Sequence, residues 1–125
     1  MVLSTDAVWC PFLEGSTIGS EGSEGGVTIR DEEHPDGARI SLERTEKRRL
    51  FRSPVVGYAI TCGLYGWMVH TRFFDFEEDA CAAYNDMKRS LEHLIAALPL
   101  ESDPKVEQKL PEAEDAISSF IKRFP

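Results

Sequence analysis

Residues 27–44, VTIRDEEHPDGARISLER, set two runs rich in β-formers on either side of His34-Pro35-Asp36-Gly37. Pro at the second position and Gly at the fourth are the signature of a type I turn, so the stretch is predicted to be a β-hairpin. Placing Glu33 opposite Ala38 puts Asp31 opposite Ile40, Ile29 opposite Leu42 and Val27 opposite Arg44. Val27, Ile29, Ala38, Ile40 and Leu42 then share one face. The reverse face pairs Glu32 with Arg39, Arg30 with Ser41 and Thr28 with Glu43. The Glu32–Arg39 pair would support this register by up to ~1 kcal/mol.

A second hairpin is expected from about Val55 to Phe74, turning at Gly63-Leu64-Tyr65-Gly66, because both arms are rich in β-branched and aromatic residues. With Cys62 opposite Trp67, one face carries Val56, Tyr58, Ile60, Cys62, Trp67, Val69, Thr71 and Phe73. The reverse face carries Val55, Gly57, Ala59, Thr61, Met68, His70, Arg72 and Phe74, small residues beside two handles for an anion or a proton.

Asp75-Phe76-Glu77-Glu78 reads as a helix start with Asp75 as the cap, and the acids that follow suit the positive end of the helix dipole. Phe76, Ala80, Tyr84, Met87, Leu91, Leu94 and Leu98 recur every three to four residues and form one apolar stripe, which stops before Pro99. Further on, Asp103-Pro104 opens a helical turn. Pro111 restarts it, and Ala116, Ile117, Phe120, Ile121 and Phe124 form a second stripe. The fold class expected is α+β: a four-stranded antiparallel sheet made of two hairpins, covered on one face by the long C-terminal helix, with a second, short C-terminal helix.

Residues 26–125 are read as a single α+β domain, since a chain of 125 residues is long enough to bury one substantial core. Residues 1–25 are read as a flexible N-terminal segment, because GSTIGSEGSEGG at 15–26 is too poor in apolar surface to offset its ordering entropy. Ahead of it, Val8, Trp9, Pro11, Phe12 and Leu13 form an apolar patch expected to pack on the chain's own core.

Charge bears on partners. The net charge is −8, with an excess of acids in residues 1–25 and 75–125 and a small excess of bases between them. An acidic chain of this kind is not expected to bind nucleic acid or an anionic membrane. The N-terminus has neither the basic nor the apolar region of a signal peptide, so a soluble, cytoplasmic location is expected. Cys10, Cys62 and Cys81 have neither disulfide nor zinc-site spacing and are read as reduced thiols.

The sequence lacks G-x-S-x-G, H-E-x-x-H, the G-x-x-x-x-G-K-[ST] phosphate loop and G-x-G-x-x-G. No catalytic residue, metal ligand or cofactor is therefore assigned. The expected role is a non-enzymatic protein-interaction or regulatory domain acting on a protein partner or by self-association. The basic cluster Arg44, Lys47, Arg48, Arg49 and Arg52 is the candidate surface for an acidic segment. The alternative is a small-molecule or anion-binding domain, or an enzyme, with its site on the sheet face around Tyr58, Thr61, His70 and Arg72.

Overall fold

The computed structural model describes residues 8–47, 55–98 and 105–125. Alternation of apolar and polar residues produces an antiparallel meander of five strands in sequential order: β1 (Cys10–Pro11), β2 (Val27–His34), β3 (Ala38–Lys47), β4 (Val55–Leu64) and β5 (Met68–Phe74). Two helices follow, α1 (Glu77–Ala97) and α2 (Val106–Arg123). The α+β antiparallel class is as expected, with five strands instead of four. The extra strand is a two-residue pairing of Cys10 with Glu33 and Pro11 with Glu32, too short to leave a periodic signal.

Both hairpins depart from the expected register. Gly37 N–H does bond the His34 carbonyl, closing the type I turn, but His34 itself pairs with Ala38. The loop is Pro35-Asp36-Gly37, with Gly37 at φ +102°, a left-handed conformation that glycine adopts without strain. Relative to the expected pairing, residues 30–34 are displaced by one and change faces. Arg30 lies opposite Leu42, Glu32 opposite Ile40, and Asp31 opposite Ser41. A bulge at Ile29 then restores the expected Thr28–Glu43 and Val27–Arg44 pairs. In the second hairpin the loop is Tyr65-Gly66-Trp67, Leu64 pairs with Met68, and Cys62 lies opposite His70 instead of Trp67. No bulge follows, so all of β5 lies on the faces opposite to those expected.

The helices cover one face of the sheet. Ala38, Ile40 and Leu42 of β3 and Tyr58, Ile60, Cys62 and Leu64 of β4 pack beneath Ala80, Tyr84, Met87, Leu91 and Leu94 of α1, with Phe120 and Phe124 of α2 completing the core. Each of these larger aliphatic side chains contributes about 1.5–3 kcal/mol on burial. Two details of the helices differ from expectation. Phe76, not Asp75, is the residue preceding α1; it makes no side-chain cap bond and is 68% exposed. Pro111 lies inside α2, which is one helix of eighteen residues.

The slip in β2 places charge beneath α1. Glu32 accepts hydrogen bonds from Tyr84 Oη at 2.8 Å, Lys88 Nζ at 2.9 Å and Arg30 Nη2 at 3.0 Å, and the Lys88 side chain is only 3% exposed. Burial and the Glu32 charge push the Tyr84 phenol well above its ordinary pKa. Trp9 is buried against this cluster: its indole N–H donates to Glu92 at 2.7 Å, and its ring meets His34 edge-on at 5.2 Å.

Residues 17–28 double back along the outer edge of β2. Gly19 N–H bonds the Thr28 carbonyl, Thr28 N–H bonds the Ser20 carbonyl, and Glu21 bridges to Val27. The buried Glu43 carboxylate gathers the segment by accepting the N–H groups of Glu24 and Gly26, the latter at 2.9 Å. Gly26 is required by close approach, since a Cβ there would lie 2.5 Å from the Arg44 carbonyl oxygen.

Candidate functional site

The register decides what each candidate side chain can reach. Tyr58, His70 and Arg72 lie on the helix-covered face of the sheet, whereas Thr61 points to the opposite, open face. His70 donates its Nε2 hydrogen to the Phe124 carbonyl and meets the Phe120 ring edge-on at 6.5 Å. Arg72 stacks 4.8 Å from the Phe74 ring centre. Thr61 is thus separated from the other three by the sheet itself. Of the basic cluster, Arg44 is exposed on β3 and Lys47 ends that strand, while Arg48, Arg49 and Arg52 lie outside the described residues.

The open face forms a different constellation. Between the residue 17–23 strap and the β4–β5 turn lies a cleft of about 790 Å³, whose floor includes Asp31, Arg39, Ser41 and Thr61. Asp31 is 3% exposed and receives both Arg39 Nε at 2.9 Å and Arg39 Nη2 at 2.6 Å, a two-pronged ion pair whose planar geometry fixes both groups. The hydrogen bond to Asp31 is the main cause of a raised Arg39 pKa. The guanidinium also stacks on Phe12, 3.5 Å from its ring centre.

Hydroxyls surround this pair. Ser23 Oγ and Thr61 Oγ1 are 3.2 Å apart, Thr61 Oγ1 and Thr71 Oγ1 are also 3.2 Å apart, and Ser41 Oγ donates to the Thr61 carbonyl at 3.5 Å. On the strap, Thr17 Oγ1 is buried with no hydrogen-bond partner among the described residues. The far wall is apolar and aromatic, with contributions from Tyr65, Trp67 and Val69. Tyr65 donates its hydroxyl to Glu33 at 2.6 Å, which pins the ring. Desolvation and the bond to Glu33 push its pKa up to about 12, so the phenol remains a donor at neutral pH.

Chemically, the cleft presents a fixed ion pair and rotatable hydroxyls on one side and ring surface on the other, an arrangement suited to recognising a small polar molecule. Among the described residues, no three His, Cys, Asp or Glu side chains come together as a metal site. Asp31, Arg39, Ser41 and Tyr65 were absent from the sequence-derived candidates. The available signal was Gly37, whose left-handed conformation as the last residue of a three-residue loop turns Asp31 and Arg39 to the same face. No family model matches the chain, and comparison with curated proteins and with solved structures returns no match.

Proposed function

We propose that this chain is a binding domain whose site is the cleft on the open face of the sheet. The observation that carries the reading is the Asp31–Arg39 pair, held in a concavity of about 790 Å³ between hydroxyl-bearing strap residues and an aromatic wall. Clefts that bind small molecules span roughly 300–1,000 Å³ and combine apolar walls with a few convergent polar groups. The proposal keeps the ligand-binding alternative drawn from the sequence and moves its centre from His70 and Arg72 to Asp31, Arg39 and Thr61.

The test is amide chemical-shift mapping of the whole chain against a fragment set containing neutral, anionic and cationic members. Saturable shifts clustered at Asp31, Arg39, Ser41 and Thr61 are expected. Hits confined to other surfaces, or none at all, would remove the reading.

A second reading, protein interaction or self-association, is supported by the edge strand β5. Val69 is 80% exposed on its open face, and among the described residues no strand pairs with its outer side. An edge strand is a template for pairing. Light scattering and native mass spectrometry check it: a dimer that Val69→Lys dissociates supports the reading, and a strict monomer at high concentration removes it.

Among the described residues, no helix is long and apolar enough to cross a membrane.

A further inference from the structure

We propose that the ligand class of the cleft is an uncharged saccharide, with one pyranose ring seated against Tyr65 and its hydroxyls directed at Ser41, Thr61 and the strap. This deepens the binding reading given above and rests on it.

Charge narrows the class first. Inside the cleft the Asp31 carboxylate and the Arg39 guanidinium neutralise each other, with two of the guanidinium N–H groups committed to the carboxylate. Glu21 borders the cleft but is exposed, where solvent screens it. The chain as a whole carries −8. An anionic ligand would therefore meet no uncompensated cation in the floor and a repulsive field outside it.

Hydrogen-bonding chemistry narrows it further. A hydroxyl both donates and accepts, whereas the edge of a planar heterocycle presents each role at a fixed position. The polar side of this cleft is built mainly from hydroxyls, on Ser20 and Ser23 of the strap and Ser41 and Thr61 of the sheet. Hydroxyls rotate to suit and so match ligand hydroxyls, which are equally bifunctional.

The opposite wall supplies the complement. A purely apolar ligand would desolvate these hydroxyls and leave the hydrogen-bonding capacity beyond their mutual contacts unused, which is costly. A pyranose has a ring of C–H groups on one face and hydroxyls at its rim, so it can satisfy both walls at once. Tyr65 is suited to the C–H face because its hydroxyl is anchored on Glu33, which limits the entropy lost when the ring is covered.

The experiment titrates the intact chain with the methyl α-pyranosides of glucose, galactose and mannose, with glucose phosphate as the charged analogue and cyclohexanol as a ring with a single hydroxyl, following amide shifts. At least one pyranoside is expected to saturate shifts at Ser20–Ser23, Thr61 and Tyr65 with millimolar affinity, as befits a ligand of few atoms. Glucose phosphate is expected to bind more weakly than the methyl glucoside. Tyr65→Ala should weaken binding about tenfold, and Tyr65→Phe, which keeps the ring but loses its anchor on Glu33, by a smaller factor. Thr61→Val, checked for an unchanged fold, provides an independent reduction should Tyr65→Ala fail to fold. The inference is overturned if no pyranoside saturates, if glucose phosphate binds best, or if Tyr65→Ala or folded Thr61→Val binds as the wild type does. Cleft shifts from cyclohexanol or any fragment without a pyranoside response would overturn the saccharide class and leave the cleft reading standing. Absence of cleft shifts from every probe would overturn both.

Discussion

The two hairpins close on loops of the same length, and only the first contains a bulge. In both, a three-residue loop displaces one arm from the expected pairing by an odd number of residues, one in the first hairpin and three in the second, and so exchanges its faces. In the first, the bulge at Ile29 confines the displacement to residues 30–34. In the second it persists through β5. The consequences differ because the displaced side chains meet different surroundings. Arg30 and Glu32 are carried beneath α1, where Lys88 and Tyr84 pair with them. His70 and Arg72 are carried to the same side at the sheet margin, beside Phe120, Phe124 and Phe74. A register slip therefore serves as a structural device in one hairpin and as a change of exposed surface in the other.

The largest expected effect comes from deleting a residue where no bulge absorbs the change. Deletion of Thr61 would move either the Tyr58–Ile60 half or the Cys62–Leu64 half of β4 to the wrong face, with pairing on both sides disrupted. A loss of at least ~5 kcal/mol, the lower end of a domain's whole stability, is expected and would appear as the absence of a cooperative thermal transition by circular dichroism. A variant that melts cooperatively near the wild-type temperature would contradict the register of β4.

Next in size is Lys88→Ala, which removes a buried partner of Glu32 and support for the Trp9 ring. Breaking such a pair costs about 3 kcal/mol, to be measured by urea denaturation. Arg72→Ala, its counterpart in the second hairpin, is expected to cost less than about 1 kcal/mol. Equal losses would erase the distinction drawn between the hairpins.

Cys62 provides a chemical check on the face assignment of β4. Burial pushes its thiol from the ordinary 9.0 up to about 12. Because the folded value is the higher one, the contribution to stability is fully present below pH 9 and is lost as pH rises through about 12. Native protein at pH 8 should therefore label at exposed Cys10 and hardly at Cys62, with Cys62 becoming reactive in denaturant. Peptide mapping after timed alkylation would show this. Equally rapid labelling of Cys62 in native protein would place it on the wrong face.

The smallest effect is expected from deleting Ile29. Thr28–Glu43 and Arg30–Leu42 are already the flanking pairs, so removal of the bulged residue leaves both in register as a continuous ladder. Less than about 1 kcal/mol should be lost. A loss comparable with that of the Thr61 deletion would show that the bulge carries more than register.

Period and composition made much of the fold legible. The stripe of α1 recurs in the buried residues Ala80, Tyr84, Met87, Leu91 and Leu94, and the alternation of Tyr58, Ile60 and Cys62 correctly marks the covered face of β4. The type I turn at His34–Gly37 was legible from Pro35 and Gly37. The cleft was not legible, because its floor joins Asp31, Arg39, Ser41 and Thr61 from three strands, while its opposite side comes from a glycine-rich stretch with no periodicity of its own.

By itself, the sequence determined the α+β class, the antiparallel hairpins, the apolar stripe of the long helix and the net negative charge, since each is a local or additive property of neighbouring residues. Only the tertiary structure decided which side of the sheet received Asp31, Arg39, His70 and Arg72, and where residues 17–28 lie. A side-chain period of two makes face assignment change sign with a single residue, and the outcome depends on loop conformation, one bulge and the long-range grip of Glu43 on the Glu24 and Gly26 amides.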